Sequence, residues 1–134
     1  MEIRWLNDND YEQSLAIWWK KWRWTPPPKD MLPGEGKGGF MVSLGGVDIC
    51  AGFLYLTNSK TAWLEYIISN FDYKDKEKRE EALNMLIETL IDLAKVNNIK
   101  YIYASLRSKS LIEKYEKNGF NKGNSGCQEM VMSL

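Results

Sequence analysis

Three consecutive prolines, Pro26, Pro27 and Pro28, split this chain into parts that cannot share a regular element. Proline fixes φ and has no N–H to donate, so neither a helix nor a central strand runs through such a stretch. What precedes it must form elements of its own. Glu2 to Leu6 alternates Ile3 and Trp5 against Glu2 and Arg4, which predicts a short strand, and the polar cluster Asn7 to Asp10 predicts a turn. Asp10 with Gln13 three places on is a capping-box pattern. Tyr11, Leu15, Trp18, Trp19 and Trp22 then recur at helical spacing, so a first helix is expected to about Trp24. Thr25 and the prolines end it and open a loop that runs to Gly39.

Beyond the loop the period becomes that of strands. Phe40 to Leu44, Ile49 to Leu56 and Ala62 to Ser69 are separated by the short turns Gly45-Gly46 and Thr57 to Lys60, which implies an antiparallel meander. Lys76 to about Val96 is the longest helical pattern, with Leu83, Leu86, Ile87, Leu90, Ile91 and Ala94 on one stripe, closed by Asn97 and Asn98. Tyr101 to Leu106 reads as a strand and Ser108 to Asn118 as a helix, with Gly119 just past its end. Cys127 to Leu134 reads as a final strand. The order predicts an α/β fold in which a mixed sheet is flanked by helices. An antiparallel meander comes first, then a strand-helix-strand unit that crosses over right-handedly and pairs in parallel. At 134 residues the expectation is one domain over residues 1–134.

Composition removes several chemistries. There is no histidine, which excludes Ser/His/Asp and Cys/His nucleophile systems, His-based zinc sites and imidazole acid–base catalysis. Only Cys50 and Cys127 could ligate through sulfur, so no metal site is expected, and both are expected as buried free thiols within strands. The 18 basic residues balance 18 acidic ones, which argues against a nucleic-acid partner. No apolar run approaches the roughly 20 residues that span a bilayer, so a soluble cytoplasmic protein without membrane contact is expected. Gly34-Glu35-Gly36-Lys37-Gly38-Gly39 satisfies G-x-G-x-x-G, but it follows a proline loop and precedes a strand, the reverse of the dinucleotide context. It is expected to be a mobile surface loop.

The element order, together with Tyr115-Glu116-Lys117-Asn118-Gly119-Phe120, resembles the GNAT superfamily of N-acetyltransferases, where Tyr-Glu-Lys-x-Gly-Phe ends the penultimate helix. The resemblance covers nearly the whole chain, and Leu86, Ile87, Leu90 and Ala94 are similar to the family's main helix. It implies acetyl-CoA as acyl donor and an amine, on a small molecule or a protein, as acceptor. One departure stands out. The family's Arg/Gln-x-x-Gly-x-Gly turn, which holds the coenzyme A pyrophosphate, is matched here by Lys78, Arg79, Glu80, Glu81, Ala82 and Leu83, with neither glycine present. Lys78 and Arg79 could supply charge for the phosphates, against Glu77, Glu80 and Glu81.

The resemblance also implies roles for single residues. Tyr115 matches the general-acid tyrosine that protonates the departing thiolate; a tyrosine that packs its helix on the sheet is the alternative. Glu65 lies mid-strand where the family often carries a carboxylate base, and alternation puts it beside Trp63 and Ile67, neighbours that would raise its pKa; the alternative is an exposed carboxylate. Backbone N–H groups of Ile67, Ile68 and Ser69 lie where the family's fourth strand bulges and leaves the fifth, and would serve as oxyanion donors. Ser108 falls at the pantetheine-contacting position, and is equally an ordinary N-cap, the reading favoured here. Four tryptophans between Trp18 and Trp24 exceed what one helical stripe buries, so Trp19, Trp22 and Trp24 are candidates for a substrate or partner surface.

Two functions follow. One is an acetyl-CoA-dependent N-acetyltransferase with Tyr115 as acid and Glu65 as base. The other is a GNAT-fold binding or assembly protein that has lost the coenzyme and uses its Trp/Pro surface on a protein partner or a second copy. Compact, glycine-depleted versions of this kind resemble GNAT-like proteins of bacteriophages. Leu83 or Tyr103 plugging the cleft would favour the second.

Overall fold

The computed structural model describes residues 1–134. Five strands form one sheet in the order β1 (Glu2–Trp5), β2 (Gly39–Leu44), β3 (Val47–Leu56), β4 (Thr61–Ser69), β5 (Tyr101–Tyr103). The first four pair antiparallel, and β4 pairs with β5 in parallel across the crossover helix α2 (Lys76–Val96), as the meander and the strand-helix-strand unit predict. The mixed α/β sheet is thus confirmed. α2 and α3 (Lys109–Lys117) pack on one face around Val42, Ile49, Leu54, Leu64, Leu86, Leu90 and Tyr115. The other face carries α1 (Ala16–Lys21), whose Trp18 and Trp19 close over Met41, Ala51, Phe53 and Ile68.

Several expectations need correction. The first helix opens as a π-helical turn, Tyr11–Leu15, and α1 stops at Lys21 rather than Trp24 because Arg23 turns the chain at φ 64°. The Asp10/Gln13 box does not form. Asp10 is itself helical, and its buried carboxylate takes both Arg4 guanidinium nitrogens at 2.8 and 3.0 Å and the Asn7 N–H at 2.7 Å. Burial acts to raise its pKa, but the Arg4 and Asn7 hydrogen bonds together prevail and hold it below the usual carboxylate value. Secondly, the glycine stretch is partly interior: Gly36 and Gly39 are buried, and a Cβ on Gly39 would lie 2.2 Å from the Gly52 carbonyl oxygen.

Thirdly, β5 ends at Tyr103 instead of Leu106. The Ser105 N–H donates to the Glu65 carboxylate, so a side chain takes the place of the next rung. Fourthly, the final strand is absent. Cys127 to Leu134 carries a strand pattern but is exposed and joins no ladder, and a strand exists only as a member of one. The thiols are free, as expected, but only Cys50 is buried; Cys127 is exposed.

One irregularity shapes everything below. Between Ala51 and Phe53 the β3–β4 register shifts by one residue, and Tyr66 in β4 adopts φ 55°. This is a β-bulge opposite Gly52. A Cβ at Gly52 would crowd Ile67 Cγ1 at 3.0 Å and Leu86 Cδ2 at 3.2 Å, so the missing side chain lets Ile67 drop onto α2. The left-handed Tyr66 is disfavoured by Cβ–carbonyl contact. Tyr66→Gly is therefore expected to be about 1 kcal/mol more stable than Tyr66→Ala in urea unfolding, since both lose the ring and only glycine relieves the backbone.

Candidate active site

β4 loses its β5 neighbour before the bulge is reached. β5 pairs only with Thr61, Ala62 and Trp63, so Leu64 to Ser69 present an edge with no strand beside it. The Asn70 N–H donates to the Ile49 carbonyl at 2.7 Å, which fixes the alternation as far as the Ala51–Ile68 pair: the Ile68 N–H points at β3 and that of Ser69 into the gap, while Ile67 lies within the bulge. Of the three expected backbone donors, regular alternation turns Ser69 to the opening and Ile68 away from it. The Ser69 carbonyl accepts the Trp22 indole N–H at 2.9 Å, and the Leu64 carbonyl accepts the Tyr115 hydroxyl at 3.0 Å.

Glu65 stands at the mouth of this gap on the α1 face. Its carboxyl is pushed up to about 7, first by burial; Glu129 adds to the rise, while the Ser105 and Tyr66 backbone N–H groups oppose it. Trp63, on the same face, stacks on Tyr103 at a centroid distance of 4.8 Å. Tyr115 is 2% exposed, its ring 4.8 Å from Phe120, and its phenol is raised by burial and then by Glu65. The structure therefore puts Glu65 and Tyr115 on the two flanks of Leu64. Leu83 lies in the core under the sheet, and Tyr103 is exposed on β5 against the Trp63 ring.

The expected phosphate-holding segment sits elsewhere than the resemblance suggests. Lys78 to Leu83 are inside α2, and Ala82 and Leu83 are core residues. The turn between β4 and the helix is Asn70 to Asp75, and it contains no glycine. Asp75 caps the helix, its carboxylate accepting the Lys78 N–H at 3.1 Å. The Lys78 ammonium pairs with Glu81 at 3.0 Å, and the Arg79 guanidinium donates to the Tyr73 carbonyl at 3.3 Å. Lys74 and Lys76 stay exposed at this end. Ser108 caps α3 by accepting the Leu111 N–H at 3.3 Å.

The four clustered tryptophans divide. Trp18 and Trp19 are buried, Trp22 is half-buried against Phe71 and fastened to Ser69, and of the four only Trp24 is open, at 55% exposure. Sequence reasoning missed Lys114, a buried ammonium bound to Glu80 and Ser110 Oγ at 2.8 Å each, which ties α3 to α2.

No family model and no curated protein matches the chain in sequence. Solved structures match it in shape. A point mutant of the Thermus thermophilus protein TTHA1254 superposes with TM-score 0.71 at 15% identity, over 100% of this chain and 99% of that one. The ribosomal-protein-S18-alanine N-acetyltransferase of Escherichia coli gives TM-score 0.67 at 20% identity, over 92% of this chain and 79% of that one. The chain has the GNAT fold. The N-acetylglutamate synthase of Neisseria gonorrhoeae, solved with coenzyme A and L-arginine, gives TM-score 0.70 at 14% identity, over 96% of this chain and 29% of that one. The β4 bulge and the parting of β4 from β5 are thus set within a GNAT-fold framework. No helix is long and apolar enough to cross a membrane.

Proposed function

We propose that this GNAT-fold protein moves an acetyl group from acetyl-CoA to an amine, with Glu65 as base. The observation that carries the reading is a half-buried carboxylate, held by the Ser105 N–H, at the point where β4 parts from β5; burial pushes it up to about 7. An ammonium must lose a proton before it can attack a thioester, and a base that titrates near neutrality does this best at physiological pH. The thioester supplies the acetyl group and a thiolate leaving group. Ser69 offers a backbone donor for the oxyanion, and Tyr115 holds a phenol proton on the carbonyl of Leu64, the residue next to the base.

The residues fit the thioester end of the donor, because the free β4 edge offers unpaired backbone to an amide-bearing arm. At the diphosphate end Lys74, Lys76 and the first turn of α2 supply positive charge, with Asp75 in competition. That carboxylate and the glycine-free turn favour the second reading, a binding or assembly protein without coenzyme. Calorimetric titration with acetyl-CoA separates the two. Micromolar binding, followed by thiol release with a panel of amines, is expected; no heat at millimolar ligand would overturn the acetyltransferase reading.

A further inference from the structure

The sheet face under α1 is covered unevenly. α1 closes over Met41, Ala51, Phe53 and Ile68, but towards β5 the same face lies open, with Trp63 37% and Tyr103 60% exposed. Register decides what stands there. Tyr55 pairs with Trp63 across β3 and β4, and Trp63 with Tyr103 across β4 and β5, so three aromatic side chains form one row across the sheet. The Trp63 and Tyr103 ring centroids are 4.8 Å apart, and the Tyr55 hydroxyl donates to the Met31 carbonyl at 2.8 Å, which pins the third ring.

The next residue of β4 on this face is Glu65. Residues two apart on a strand lie about 6.6 Å from each other, a span that a ring with a short arm covers. Glu65 accepts the Ser105 N–H but enters none of the chain's ion pairs. A half-buried carboxylate without a counter-charge calls for a cation, and open aromatic surface beside it calls for a flat apolar body. One molecule meets both needs. We propose that this site takes an arylalkylamine as its acceptor, the aromatic ring lying on Trp63 and Tyr103 while the ammonium meets Glu65. The transfer step rests on the acetyltransferase reading: Glu65 takes one ammonium proton, the freed lone pair bonds to the acetyl carbon, and the thioester C–S bond breaks as the nitrogen's second proton passes to sulfur. Trp63 and Tyr103 set specificity and take no part in the proton transfers.

Two amines that differ only in the ring, 2-phenylethylamine and 2-cyclohexylethylamine, test the proposal on the full chain. Stacking beyond equal apolar burial is expected to give the aromatic amine about 3- to 10-fold tighter binding to the protein alone, read by ligand-observed NMR. The same advantage is expected in kcat/KM with acetyl-CoA, carried by KM. Trp63→Leu and, at the more exposed position, Tyr103→Leu are each expected to shrink the preference, and Trp63→Phe to retain it. Equal affinity for the two amines, no binding of either, or a preference untouched by both leucine variants would overturn the proposal. Preferential binding of the aromatic amine without transfer would keep this binding site and overturn the acetyltransferase reading alone; transfer to both amines with equal kcat/KM would do the reverse.

Discussion

Glu65→Gln is expected to lower kcat/KM for an amine acceptor about 10²- to 10⁴-fold, the usual contribution of a positioned base. The amide keeps an oxygen for the Ser105 N–H, so the loss is of basicity and not of the tie between β4 and the segment after β5. For the wild type, log kcat/KM should rise with pH and level off near about 7, where the carboxyl ionises. The same group sets a stability trend of the opposite direction. A carboxyl raised from 4.5 to about 7 on folding favours the neutral form, so its stabilising effect is complete below 4.5 and is lost as pH rises through about 7. Urea midpoints measured across that window should fall for the wild type relative to Glu65→Gln. A variant with undiminished turnover would remove Glu65 from the mechanism.

Tyr115→Phe is expected to act on two quantities that can be read apart. Without its hydroxyl the buried Leu64 carbonyl loses its partner at 3.0 Å, which costs about 1–3 kcal/mol of folding stability. The contact with Phe120 survives, so the fold should persist. If the phenol also gives its proton to the departing thiolate, kcat drops by about 10²-fold with KM little changed. Stopped-flow turnover on variant protein shown to be folded by dichroism decides the point. Lost stability with unchanged kcat would leave Tyr115 a packing residue that closes a carbonyl.

Much of this architecture could be read from the chain. The apolar stripe from Leu83 to Ala94 placed α2 correctly because a 21-residue amphipathic helix needs no help from its neighbours to be recognised. Gly119, at φ 100°, ended α3 as its position suggested. What escaped depends on partners distant in sequence. Asp10 resembles an N-cap locally, and only the fold reveals that Arg4 claims its carboxylate. Cys127 to Leu134 has the composition of a strand, but pairing is a property of two segments. The bulge did leave a trace: Gly52, alone inside a run of strand formers, marks the place where β4 needs room for an extra residue. In the candidate site, Glu65 was identifiable by its place in β4. The depth of Tyr115 and the tethering of Trp22 to Ser69 were not, because both are set by hydrogen bonds between residues far apart in sequence, with separations of 51 and 47.

The Asp75 cap gives α2 a tethered competitor. A carboxylate one residue ahead of the helix occupies, intramolecularly, an N–H that an incoming anion would use. An anion docking there displaces a bond worth about 1 kcal/mol and so binds about fivefold more weakly than at an uncapped helix, before any contribution from absent glycines. Affinity at this end is thus set as much by what the helix already holds as by what it lacks.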